Sequence, residues 1–293
     1  MFSGSFVALV TPMLPDGTID YKGLEHLISF HLQQDTDGLV IMGTTAEAAT
    51  ISFAEQLDVM ARVVSQVSGQ IPVLAGNGTN ATSEGVTRTR ELDKLAIDGF
   101  LTVTPFYNKP MQKGMLAHFQ QVAAATTKPV LLYNVPGRTG VDLLPETVAE
   151  LALTDNIVGI KEATGSLNRL TELQQRCPAD FALLSGDDAT SLGFIQAGGH
   201  GVISVTANVA PALMARLCKL ALAKQYTEAK ALDEQLQALH HQLFIESNPI
   251  PTKWALQRMG LIKSDFMRLP LTQLEPIHHG IIEQALQQAG LLA

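Results

Sequence analysis

The chain has 293 residues, 46% of them hydrophobic and 16% charged, with a net charge of −8. That is enough for one large domain or two small ones with a sizeable core. Lys and Arg are scattered, which excludes a basic footprint for nucleic acid or anionic lipid. No apolar run approaches the roughly 20 residues of a membrane span.

Short runs rich in branched apolar residues alternate with amphipathic stretches. The first strand-like run is 6–10, ended by Pro12 and preceded by no basic segment, so no signal peptide is expected. Asp20 then caps a stretch with Leu24, Leu27, Ile28 and Leu32 on one face. The next runs are 38–42, 72–75 and 100–103, separated by helices through Leu57, Met60 and Val64 and over 81–95. After a helix from Gly114 through Val122 come 130–133, a helix after Pro145, 157–161 and a helix over 167–175. Runs 181–185 and 201–204 precede helices over 189–196 and 211–222. Beyond residue 222 only helices are predicted, over 232–245, 252–259 and 281–292. Nearly all-apolar strands alternating with helices imply a parallel sheet covered on both faces. Eight such units predict an α/β fold, a (β/α)8 TIM barrel over 1–222 with a C-terminal helical domain over 223–293. Cys177 and Cys218 form no CxxC and suit a reducing cytoplasm as ordinary buried thiols.

Catalytic groups of such barrels sit at the C-terminal strand ends. Here those ends carry Thr11, Thr44, Thr45, Asn77, Thr104, Tyr133, Lys161, Ser185, Gly186 and Ser204. They predict one lysine, one tyrosine and a ring of hydroxyls converging on one mouth. Lys161 closes an apolar strand and is expected to share its face with Gly159 and Ile157, the glycine leaving a hollow beside the amine. A dry lysine is disfavoured as the cation, which suits it to attack carbonyls as a Schiff-base nucleophile beside a proton-shuttling phenol. The competing reading is a lysine that snorkels from the strand mouth to water.

Other signals carry bland alternatives. Gly76-Asn77-Gly78-Thr79-Asn80-Ala81 matches a dinucleotide fingerprint, but it follows the third strand and the next strand supplies no acid for a ribose. A tight turn is the better reading. His240-His241 and His278-His279 lack metal-ligand spacing and are expected to be solvated helix residues far from the strand ends. Asp187-Asp188 reads as a helix cap rather than an ion-ligand pair. Gly137-Arg138-Thr139-Gly140 presents an arginine on a loop, either for a carboxylate or as a surface residue. Gly43-Thr44-Thr45 offers amides and hydroxyls that would cradle a carboxylate or simply cap a turn.

The segments GTTAEAAT (43–50), TPFYNKP (104–110), LLYNVPGRTG (131–140), GIKEATG (159–165), LLSGDD (183–188), GGHGVISVTANV (198–209) and NPIPTKWAL (248–256) resemble the pyruvate-dependent lysine (class I) aldolase family. Arg138 in its GRTG context points to the dihydrodipicolinate synthase branch of that family. The resemblance implies condensation of pyruvate with L-aspartate semialdehyde through an imine on Lys161, with no metal or organic cofactor. It implies a proton relay of Tyr133, Thr44 and Tyr107, the last reaching in from a neighbouring subunit of a homotetramer. It further implies that Thr44 and Thr45 hold the pyruvate carboxylate, Arg138 the semialdehyde carboxylate, and that Gly186 and the Ile203 carbonyl lie against the substrate. The alternatives are a related lyase acting on N-acetylneuraminate or a keto-deoxy sugar acid, and a non-catalytic keto-acid sensor. Two departures stand out. Ala46 replaces the family's usual glycine, which puts a φ > 0 loop there in doubt. Of the family's lysine-feedback pocket Asn80 and Glu84 match, whereas Ala48, Phe53, Gln56 and Phe106 do not, so feedback by lysine is expected to be weak or absent.

Overall fold

The computed structural model describes residues 2–292. Eight parallel strands close into a barrel: β1 (Gly4–Ala8), β2 (Gly38–Ile41), β3 (Val73–Gly76), β4 (Gly99–Val103), β5 (Val130–Asn134), β6 (Ile157–Glu162), β7 (Ala182–Ser185) and β8 (Gly201–Ser204). The closing pair is β8 with β1, in the register Gly4 with Gly201 and Phe6 with Ile203. This register corrects the predicted first strand. Gly4 and Ser5 are in the ladder, whereas Leu9 and Val10 have left it and remain buried. Leu9 still donates its N–H to the Val40 carbonyl of β2, while the Val10 N–H turns to the Asn208 side chain.

The predicted helices follow: α1 (Tyr21–Leu32), α2 (Phe53–Val67), α3 (Thr82–Asp93), α4 (Gln112–Ala123), α6 (Pro145–Leu151), α7 (Leu167–Arg176), α8 (Ser191–Gln196) and α9 (Pro211–Leu222), with a single helical turn, α5 (Pro136–Thr139), where a loop was expected. Asp20 caps α1 by accepting from the Gly23 N–H. Ser52 and Glu55 form a reciprocal capping box at α2. The C-terminal segment adds α10 (Tyr226–Gln242), α11 (Ile250–Arg258) and α12 (His279–Gln288). Leu236 and Leu239 of α10, Leu256 of α11 and Ile282 of α12 join the apolar layer between the barrel and its helices.

A second, smaller apolar cluster fills the barrel interior: Phe6, Ala8, Val40, Leu74, Leu101, Leu131, Tyr133, Ala182, Leu184 and Ile203. Strand β6 contributes no fully buried apolar residue to it. The register of β5 with β6 shifts between Val130 and Leu131, because Val130 pairs with Ile157 and Leu131 with Gly159. Val158 is the extra residue of this irregularity. Simple alternation therefore fails there: Ile157 belongs to the outer layer and Val158 packs against the inner one. The expected face shared by Lys161, Gly159 and Ile157 is corrected to Lys161 and Gly159 alone.

The glycine argument also changes. A Cβ at Gly159 would lie 2.4 Å from the Ala182 carbonyl oxygen and 2.7 Å from Leu131 Cδ2, so this glycine admits neighbouring strands rather than hollowing a niche for the amine. The glycine against the lysine is Gly186, where a Cβ would sit 2.9 Å from Lys161 Cε. Replacing Gly159→Ala overpacks a backbone contact and is expected to cost about 1–3 kcal/mol or more. A fall in the urea midpoint with unchanged m-value is the expected readout; an unchanged midpoint contradicts this packing.

Candidate active site

Strands β5 and β6 place Tyr133 and Lys161 as direct cross-strand partners. Both face the barrel axis, and Lys161 Nζ lies 4.4 Å from the Tyr133 ring centroid. Lys161 is only 5% exposed. Glu162, the adjacent carboxylate, is turned away by strand alternation. Its Oε2 accepts from Asn134 Nδ2 at 3.0 Å and its Oε1 from the Thr164 N–H at 2.8 Å. Burial raises the pKa of Glu162, with the Asn134 amide opposing. Among the described residues no carboxylate forms an ion pair with Lys161.

A cavity of about 130 Å³ opens above these two side chains. Thr44, Thr45, Tyr133, Arg138, Lys161 and Gly186 all line it, as expected from the sequence. Ala8, Val40 and Leu101 supply apolar wall, and Asp187, Val205, Phe244 and Asn248 complete the rim. Arg138 stands on the one-turn helix α5, not on the loop expected for it. Pro136 starts that turn and Gly140, at φ +75, ends it. Its Nη2 donates to the Asn248 carbonyl at 3.3 Å.

Most of the other polar groups predicted at the strand ends are engaged in structural hydrogen bonds. Asn77 donates to Thr89 Oγ1 and accepts from Thr102 Oγ1, Ser185 Oγ closes its own turn onto Asp187, and Ser204 Oγ accepts from the Ala207 N–H. Thr11 and Thr104 are buried outside the cavity lining. The glycine-rich segment after β3 is thus a turn locked by Asn77. Ile203 is buried in the inner cluster, one residue before the end of β8, and Val205 lines the cavity above it. Tyr107 stands 88% exposed at φ +75, its N–H bonded to the Thr139 carbonyl.

The cradle formed by Thr44 and Thr45 is anchored from the far end of the chain. Residues 44–46 form one 3-10 turn, and the left-handed residue is Glu47 at φ 59. Ala46 therefore adopts ordinary backbone and packs its methyl in the outer core. Glu47 is buried and its Oε1 lies 2.7 Å from Lys253 Nζ, whose side chain is 0% exposed. Lys253 also donates to the Phe266 carbonyl at 2.5 Å, and Glu47 Oε2 accepts from the Arg268 N–H at 3.2 Å. Burial pulls the Lys253 pKa down while the Glu47 carboxylate opposes it. Asn248 Nδ2 donates to Thr45 Oγ1 at 2.9 Å. Sequence reasoning missed Glu47, Asn248 and Lys253 as parts of the site. A glutamate in a turn and a lysine in a distant helix show no partnership until the chain folds.

Two further expectations change. His240 is buried rather than solvated: its Nδ1 meets Thr206 Oγ1 at 2.9 Å, just beyond β8, and burial lowers its pKa. His279 stacks on Trp254 with ring centroids 4.7 Å apart, and His278 is half-buried. Asp187 caps the turn before α8 through Thr190, whereas Asp188 Oδ2 reaches across to the Val205 and Thr206 N–H groups at 2.9 and 3.0 Å. Only the first of the two aspartates is the expected local cap.

Fold and cavity together define a (β/α)8 barrel with a lysine at the strand mouth. The chain belongs to the dihydrodipicolinate synthetase family, whose model matches residues 1–289. It is 53% identical over 293 residues to a 4-hydroxy-tetrahydrodipicolinate synthase of Pseudoalteromonas atlantica, covering 100% of both chains. A 4-hydroxy-tetrahydrodipicolinate synthase of Methylococcus capsulatus is 53% identical over 292 residues, again with 100% of both chains covered. The crystal structure of a chloride-inhibited dihydrodipicolinate synthase from Acinetobacter baumannii, complexed with pyruvate, superposes with a TM-score of 0.97 at 45% identity over 100% of both chains.

Removing one partner of a buried ion pair strands the other. Lys253→Met is expected to cost about 3–5 kcal/mol of stability, and the double replacement Glu47→Leu with Lys253→Met markedly less. Denaturant unfolding of the three proteins measures this; equal losses in the single and double variants contradict the pairing.

Proposed function

We infer that this chain condenses pyruvate with L-aspartate 4-semialdehyde to give 4-hydroxy-tetrahydrodipicolinate, and that Lys161 carries the reaction as an imine. The observation that supports this best is the buried Lys161 amine, free of any carboxylate partner among the described residues and 4.4 Å from the ring of a tyrosine on the next strand. In this reading the neutral amine attacks the ketone carbon of pyruvate, and water leaves to give an iminium. The iminium withdraws electrons, so the methyl carbon loses a proton and becomes an enamine. That carbon bonds to the aldehyde carbon of the second substrate. The amino group of the semialdehyde then attacks the imine carbon, closes the ring and releases Lys161. Tyr133 and Thr44 move the protons. Thr45 and the amides of the 44–46 turn hold the pyruvate carboxylate, and Gly186 leaves space beside the reacting carbon.

Arg138 supports the synthase over the sugar-acid lyases. It lines a small cavity with apolar walls and offers a planar fork that fits a second carboxylate. The exposure and left-handed backbone of Tyr107 support its working in a neighbour's site, and with it a self-associated, tetrameric enzyme. Among the described residues no helix is long and apolar enough to cross a membrane. Both cysteines are free, and we place the enzyme in the cytoplasm, in diaminopimelate and lysine synthesis. The reading needs no metal or organic cofactor.

Steady-state assay is expected to show turnover of pyruvate with L-aspartate semialdehyde and negligible cleavage of N-acetylneuraminate. Arg138→Ala is expected to raise the KM for the semialdehyde far more than that for pyruvate. Efficient cleavage of the sugar acid, or an unaltered semialdehyde KM, contradicts the assignment.

Weak lysine feedback is also proposed. Gln56 is buried with its amide nitrogen bonded to the carbonyls of Ala48 and Ile51, and its Oε1 accepts from Arg88 at 3.2 Å. Arg88 lies over Phe53 and donates to Glu84 at 2.9 Å. The polar groups an effector needs are engaged within the chain, and each one lost costs about 1–3 kcal/mol. Lysine titration of the steady-state rate is expected to give no half-inhibition below the millimolar range; half-inhibition well below it contradicts this view.

A further inference from the structure

Asn248 comes from the segment between α10 and α11, over 200 residues from Thr45, yet it touches both elements that face the substrates. The residue is 5% exposed and lines the cavity. Its Nδ2 donates to Thr45 Oγ1 at 2.9 Å, and its backbone carbonyl accepts from Arg138 Nη2 at 3.3 Å. Its Oδ1 is buried and has no hydrogen-bond partner. We propose that Asn248 is a positioning residue: it sets the direction in which the Thr45 hydroxyl gives its proton, while its backbone holds Arg138 at the rim. The proposal rests on the condensation assigned above.

A threonine hydroxyl has one proton and two lone pairs. Asn248 Nδ2 fills one lone pair, so the Thr45 proton is free for another acceptor. A carboxylate accepts only, and the keto acid's carboxylate is the acceptor that this cradle would meet. Asn248 thus orients a donor without touching the reacting atoms. Arg138 is served differently. A guanidinium has five N–H donors; the Asn248 carbonyl takes one and leaves the others for the second substrate. The two services are separable, because a side-chain replacement at 248 removes the contact with Thr45 and keeps the carbonyl. Asn248→Asp is nearly isosteric, but its carboxylate accepts the Thr45 proton and places negative charge beside the substrate carboxylate.

The test is a double-mutant cycle on the full chain, with each substrate varied in turn. Asn248→Ala is expected to raise the KM for pyruvate about tenfold, as befits a lost donor to a charged group. The KM for the semialdehyde and kcat are expected to stay within about threefold, well below the effect on pyruvate. In a Thr45→Val background, adding Asn248→Ala is expected to do little more, because the residue acts through that hydroxyl. Asn248→Asp is expected to weaken pyruvate at least as much as Asn248→Ala, which keeps the test open should the alanine variant fail to fold. Equal rises in both KM values, an unchanged tenfold effect in the Thr45→Val background, or an Asn248→Asp enzyme with parental pyruvate KM would each overturn the proposal. The half-saturating pyruvate concentration for borohydride inactivation reads the same affinity without the semialdehyde. A parent chain that binds pyruvate but does not turn over the semialdehyde fails the assigned reaction, while the variant series still decides the role of Asn248. A parent with neither turnover nor pyruvate-dependent inactivation overturns both.

Discussion

Holding an amine out of water without giving it a counter-charge is the constraint on which this site depends. Among the described residues the chain buries two lysines, and the contrast between them is instructive. Lys253 has a carboxylate at 2.7 Å and a backbone carbonyl at 2.5 Å, so its charge is matched and its role is to fasten. Lys161 has an aromatic ring and a cavity. Strand alternation keeps the adjacent carboxylate off Lys161: Glu162 is one residue away and faces outward, occupied by Asn134 and the Thr164 N–H.

The barrel supplies the wall and the C-terminal segment supplies the fastening. The inner cluster fills the barrel with buried apolar side chains from seven strands, while β6 brings Gly159, Lys161 and the partly buried Val158 to it. Above that floor, the 44–46 turn would be a short loop held only at its ends. Instead Glu47 is gripped by Lys253 and by the backbone of Arg268, and Arg268 binds Glu55 at 2.6 Å. Asn248 adds a contact to Thr45 itself. The segment beyond residue 222 therefore holds the 44–46 turn that lines the cavity as well as packing on the core.

The barrel was legible because each parallel strand is covered on both faces and so announces itself as an apolar run. Lys161, Tyr133, Thr44, Thr45, Arg138 and Gly186 were legible as strand-end residues or through motif, and all six line one cavity. What was not legible depends on long-range pairing. The bulge at Val158 shows only in the register of two strands, so Ile157 was placed on the wrong face. Glu47 and Lys253 lie 206 residues apart, and neither carries a local signal of its partner. His240 looked like a solvated helix residue because its partner, Thr206, belongs to another element. Polar groups at strand ends were overread as functional: Asn77 is engaged with Thr89 and Thr102, and Ser185 and Ser204 bond to the backbone of their own turns.

The central claim is that Lys161, and not the other buried lysine, is the amine that meets the ketone. Incubating the intact enzyme with pyruvate, reducing with borohydride and mapping the peptides by mass spectrometry addresses it directly. The account predicts one reduced pyruvyl adduct per chain, carried by the peptide containing Lys161 and lost in Lys161→Ala. An adduct on Lys253 or on a surface lysine, or none at saturating pyruvate, would contradict it.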